Sequence, residues 1–130
     1  MKAKKPRLLD LFCCAGGAGV GYAKAGFEDV PQLLGASHIK PWSDFPNERL
    51  DPRNGLCLSS LHDAAFDNGL ITLDEEMRVI LSDRLRKYYP QPALEDNFIP
   101  YRGRPITRPD KLAEPAQEFI RYHRDHIFQD

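Results

Sequence analysis

Apolar and polar positions along the chain mark out a series of short elements. Residues 33–39 form a strand-like apolar run that carries the first histidine, and a polar loop follows through Pro41, Pro46 and Pro52. Residues 55–60 read as a second short strand. Residues 61–68 predict a short helix with Leu61, Ala65 and Phe66 on one side, closed by Gly69. Two β-prone runs, 70–73 and 78–82, flank the acidic turn Asp74-Glu75-Glu76. Residues 86–115 are proline-rich and predict an irregular wrap over the core. A final helix is expected over about 115–128, because Ala116, Phe119, Ile120, His123 and Ile127 fall at helical spacing. There is no internal repeat, and the mixture predicts an α+β fold.

The first 26 residues have a different character. A basic start leads into the apolar run 8–14 with Asp10 inside it, then into a loop containing Gly16, Gly17, Gly19 and Gly21. This is the pattern of a strand, a glycine turn and a helix start over 20–25, where helix N–H groups meet a nucleotide-like ligand. The run Asp10-Leu-Phe-Cys-Cys-Ala-Gly-Gly resembles the first motif of DNA cytosine methyltransferases, which cradles S-adenosylmethionine. Those enzymes also need a Pro-Cys nucleophile, and here Cys57 stands between Leu56 and Leu58. Residues 1–26 therefore read as a methyltransferase-like fragment joined to a second unit at 27–130, with no binding of S-adenosylmethionine expected. Lys2, Lys4, Lys5 and Ala23-Lys24-Ala25 resemble a secretory leader, but Asp10 and the glycines interrupt its apolar stretch.

Composition narrows the function classes. The 130 residues are 42% hydrophobic and 28% charged, an ordinary globular balance. No stretch approaches the roughly 18 to 20 apolar residues of a membrane span, so no membrane partner is expected. The net charge of -1 excludes wholesale attraction to nucleic acid, so any such contact must come from local patches. Residues 27–85 hold eleven acidic against five basic groups, whereas 1–26 hold five basic against one acidic. Three cysteines, with Cys13 and Cys14 adjacent and no CxxC pair, fit a reducing, cytoplasmic setting.

Chemistry concentrates in that acidic middle. His38 lies in Ala36-Ser37-His38-Ile39-Lys40-Pro41-Trp42. Asn54 follows in Asp51-Pro52-Arg53-Asn54-Gly55-Leu56, and His62 in His62-Asp63-Ala64-Ala65-Phe66-Asp67. They fall on a predicted strand, loop and helix start. Taken singly, His38 reads as a core histidine, Asn54 as a turn residue and the aspartates as helix-end charges. In this order, with these flanks, they resemble the HNH endonucleases of the restriction-type branch over about 27–85, with a weaker echo from Tyr122 to Phe128.

The resemblance implies a ββα-metal core at 33–85, a C-terminal wrap and helix at 86–130, and cleavage of DNA phosphodiester bonds. It implies that His38 is the general base, that Asn54 orients His38 or pins the loop, and that His62 ligates a divalent cation. The partner ligand is open: Ser37 stands where many relatives place an Asp or His, Phe66 stands where some place a third histidine, and Asp63 and Asp67 are the nearest carboxylates. Magnesium or manganese suits such a site, with zinc or nickel as alternative occupants. His123 and His126 are assigned to the last helix as structural or surface groups, and Trp42 to packing. Lys40, Arg49, Arg53, Arg102, Arg104 and Arg108 are the expected phosphate contacts. The expected partner is DNA, in restriction or mobile-element defence, with a homodimer as a further expectation. The competing reading is an HNH-shaped module that holds DNA without cutting it.

Overall fold

Gly55 sits opposite His38 where two strands meet. The computed structural model describes residues 34–106 and 114–130, so the methyltransferase-like segment and Arg108 lie outside the described residues. Strand β1 (Leu34–His38) pairs antiparallel with β2 (Gly55–Ser59). Every residue of β2 is buried, because β1 flanks it and a helix packs on it; a strand so covered has no need of polar alternation. Cys57 lies on this strand and is 5% exposed.

Ser59 ends β2 and begins helix α1 (Ser60–Asp67). Its backbone is extended, and its hydroxyl accepts the amide hydrogen of His62 at 3.3 Å, a serine N-cap that starts the helix one residue earlier than expected. At the other end Gly69 has a φ of 71°, and a Cβ there would strike the backbone oxygen of Ile127. Glycine is required on both counts. The helix buries His62, Ala65 and Phe66. Leu61, expected on the buried side, is instead 46% exposed.

Strands β3 (Ile71–Leu73) and β4 (Val79–Leu81) form the second antiparallel hairpin. The Asp74 carboxylate accepts the amide hydrogens of Glu76 and Arg78, each at 2.8 Å, and this side-chain turn carries the chain through Met77 at φ 60°. The described part of this segment, residues 86–106, is more regular than expected. A 3₁₀ turn covers Asp83–Tyr88, helix α2 spans Pro92–Asn97 and a second 3₁₀ turn covers Ile99–Tyr101. Pro92 presets the first turn of α2, and Leu94 and Phe98 pin the segment to the core. Units this short show no periodicity in the sequence.

Helix α3 (Gln117–His126) buries Phe119, Ile120 and His123 and packs on β3. The tail after it returns to the core. Gln129 donates its amide hydrogen to the Gly69 carbonyl at 2.9 Å, and the Ser82 hydroxyl donates to the Gln129 carbonyl. Ile39, Phe66, Met77 and Ile120 are the most deeply buried apolar side chains. Truncating one of them, such as Phe66 to alanine, would cost about 3–5 kcal/mol.

Candidate active site

The loop between β1 and β2 is held by one amide. Asn54 is 1% exposed. Its Oδ1 accepts from the Lys40 amide at 2.8 Å, and its Nδ2 donates to the carbonyls of Lys40 and Glu48, each at 3.3 Å. The Asn54 carbonyl also accepts from the Ile39 amide at 3.0 Å. One buried side chain thus bonds the loop at both Lys40 and Glu48.

That loop supplies the partner of His38. His38 Nε2 lies 3.2 Å from the carbonyl oxygen of Arg49. A carbonyl can only accept, so Nε2 carries the hydrogen and the lone pair of the neutral ring is on Nδ1. Burial holds the His38 pKa below the usual imidazole value; the Arg49 charge also lowers it, while the Arg49 carbonyl and the Asp63 charge act the other way. The ring is thus neutral near pH 7.

His38 lines a pocket of about 300 Å³ together with Ser37, Trp42, Asp63, Asp67 and His123. Asp63 and Asp67 stand four residues apart on α1, and that spacing puts both carboxylates on one face, toward the pocket. Asp67 is at the solvent edge, yet desolvation at the pocket wall, and then the charge of Asp63, push its carboxyl above the usual range. Ser37 also borders the pocket; it is 2% exposed and its hydroxyl has no hydrogen-bond partner among the described residues.

His62 does not join this group. It shares the face of α1 that carries Phe66, and the wrap covers it: Phe98 and Tyr101 meet its ring edge-on at 5.2 and 5.6 Å. Its Nε2 donates to the Asn97 carbonyl at 2.6 Å, and its Nδ1 lies 2.8 Å from the Ser59 hydroxyl. Both ring nitrogens are thereby engaged within the protein. His62 thus lies on the core side of α1, and the helix residues that border the pocket are Asp63 and Asp67. The signal was present in the sequence, since positions 62 and 66 lie together on a helix and Phe66 marks the buried side.

His123 borders the pocket as a structural residue. It stacks on Phe66 with ring centres 3.6 Å apart, donates from Nε2 to the Phe66 carbonyl at 2.9 Å, and meets the Thr72 hydroxyl through Nδ1 at 2.8 Å. Desolvation lowers its pKa to about 4, so it is neutral near pH 7. His126 stacks on Tyr122 at the surface.

The expected phosphate contacts separate. Lys40 is held by Glu48 at 3.7 Å and lies over the rings of Phe45, Phe119 and Tyr122. Arg53 is paired with Asp51 at 2.8 Å. Arg102 and Arg104 are exposed near the second 3₁₀ turn and do not line the pocket. Arg49 stands beside His38, donates from Nε to the Trp42 carbonyl at 2.7 Å, and stacks its guanidinium on the Trp42 ring. Trp42 itself, expected in packing, is 50% exposed at the pocket.

Among the described residues, no three His, Cys, Asp or Glu side chains come together as a ready-made cation cage. No helix among them is long and apolar enough to cross a membrane. Comparison with curated proteins gives no match. The family whose model matches this chain is described as HNH endonuclease, and the match covers residues 13–74, from within the glycine-rich segment to Asp74 beyond β3.

Proposed function

We propose that the chain is a divalent-metal-dependent DNA endonuclease in which His38 is the base and Asp63 and Asp67 hold the cation. What supports this reading is the meeting of a neutral, backbone-anchored imidazole with two carboxylates across one pocket. The family match covers every one of these residues.

The donor set fits a hard cation. Burial, and then the charge of Asp63, raise the cost of ionising Asp67, and a bound divalent ion would relieve it. The Ser37 hydroxyl, unpartnered among the described residues, adds a third oxygen at the same wall. Magnesium and manganese commonly take one or two carboxylates, keep water, and leave positions for phosphate oxygens, so a three-residue cage is not needed. Zinc and nickel fit less well, because both nitrogens of His62 are engaged. When bound, such an ion would neutralise charge on the phosphate and the leaving oxygen.

The chain's own groups do the rest. His38 Nδ1 takes a proton from a water molecule while the Arg49 carbonyl holds Nε2–H in place. The water oxygen bonds to phosphorus, the bond to the 3′ oxygen breaks, and that oxygen takes a proton from solvent. Asn54 keeps the loop, and hence the Arg49 carbonyl, in register with β1. A restriction or mobile-element setting and a homodimer are part of the same proposal, drawn from the sequence resemblance.

A DNA-holding module that does not cut is the second reading, favoured by Ser37 at a position where a stronger ligand is usual. Nicking of supercoiled plasmid separates the two. Mg²⁺- or Mn²⁺-dependent nicking that vanishes in His38→Ala, with an unchanged circular dichroism spectrum, is the expected result. Binding of plasmid without nicking in either metal would establish the second reading instead.

A further inference from the structure

We propose that Trp42 is a stacking platform for one unpaired nucleobase beside the scissile phosphate, with Arg49 receiving the phosphate next to it; this deepens the nuclease reading and rests on it. Trp42 borders the pocket that holds His38, Asp63 and Asp67. Its ring lies 4.9 Å from that of His38 at an interplanar angle of 75°. The Arg49 guanidinium carbon is 4.9 Å from the same indole, and the Arg49 Nε bond to the Trp42 carbonyl ties the two residues together.

An indole used as a packing anchor is covered by apolar neighbours, and this one leaves half its surface in water. Its position is also set apart by charge. Lys40 is committed to Glu48 and three aromatic rings, and Arg53 to Asp51, whereas Arg49 forms no ion pair among the described residues. A π-face joined to an unneutralised guanidinium complements a nucleotide, with the base on the ring and the phosphate on the cation. A base inside an intact duplex is stacked on both sides and offers no face. The occupant is therefore a nucleotide of single-stranded DNA, or one extruded from a duplex.

The chain has a single tryptophan, so its emission reports on this residue directly. The experiment uses the His38→Ala chain without added metal. A single-stranded 12-nucleotide DNA, and the same sequence as a duplex, are titrated while Trp42 emission is followed. Binding is measured separately by the anisotropy of labelled DNA. Saturable quenching by the single strand, with tighter binding than to the duplex, is expected. Trp42→Ala should bind the single strand about tenfold more weakly, and Trp42→Phe within about threefold of the parent. Binding with unchanged emission, equal affinity in Trp42→Ala, or no binding at all overturns the proposal. Quenching in a parent chain that never nicks DNA with Mg²⁺ or Mn²⁺ would instead remove the nuclease reading and leave the platform standing.

Discussion

The side-chain oxygen of Asn54 accepts the amide hydrogen of Lys40 at 2.8 Å, two residues beyond His38. The same side chain donates to two carbonyls of the loop, so one buried amide fixes where the loop leaves β1 and where it passes Glu48. Asn54→Ala removes all three bonds and strands buried backbone groups. A loss of about 1–3 kcal/mol is expected. Urea unfolding should show it, and plasmid nicking should fall further than the stability loss explains, because the Arg49 carbonyl no longer holds His38. Normal nicking in a folded Asn54→Ala chain would dissociate the loop from the base.

His62 offers a direct contrast between a core role and a ligand role. In the structure its nitrogens serve Asn97 and Ser59. His62→Ala should lower stability by about 2–4 kcal/mol, since it opens a cavity and orphans a buried carbonyl. The Mg²⁺ concentration for half-maximal nicking should not move, provided the assay is run well below the melting temperature. A shift of tenfold or more would return His62 to the metal.

Much of this architecture is legible in the residues, and the parts that are not have physical reasons. The strand–strand–helix order could be read because β2 is a continuous apolar run and because Gly69 must follow α1. Apolar Leu61 reads as part of the buried side of α1, yet Ala65 and Phe66 fix that side and place His62 there instead. Sequence spacing does not reveal the rings of Phe45, Phe119 and Tyr122 around Lys40, because two of them come from a helix about 80 residues away. Trp42 looked like core because tryptophan usually is. Its exposure depends on where the loop turns, which Asn54 and Arg49 decide together.

Asp67 should respond to cation in a way no surface carboxylate does. Its pKa is raised in the fold, so the folded chain binds the proton more tightly than the unfolded chain, and stability falls as pH rises through the interval between the ordinary and the raised value. At pH 7 without metal the ionised group is therefore a small burden, softened by solvent at the pocket edge. Asp67→Asn should match or slightly exceed the parent melting temperature in EDTA. Mg²⁺ in excess should stabilise the parent by an amount that grows with the logarithm of its concentration, and should leave Asp67→Asn unmoved. Equal Mg²⁺ shifts in the two chains would take the cation away from this residue.

His123 sets the acid limit of the fold. Its ring is sealed between Phe66 and Thr72, and its folded pKa is about 4. An unfolded histidine titrates near 6.5, so below that value the unfolded state gains a proton that the folded state refuses. Stability is full above about pH 6.5, declines as the pH drops, and stops declining from this cause near pH 4, where the folded ring is protonated too. The total loss is about 3–4 kcal/mol, from a shift of roughly 2.5 pH units at about 1.4 kcal/mol each. His38 is shifted in the same direction but is partly open to solvent and adds less. Urea unfolding of the parent at pH 7.5 and 4.5 should show the drop. His123→Gln, which loses the stacking imidazole and starts less stable, should lose much less between the two pH values. If the variant and the parent decline in parallel, the acid sensitivity belongs to other groups and His123 is not neutralised by its burial.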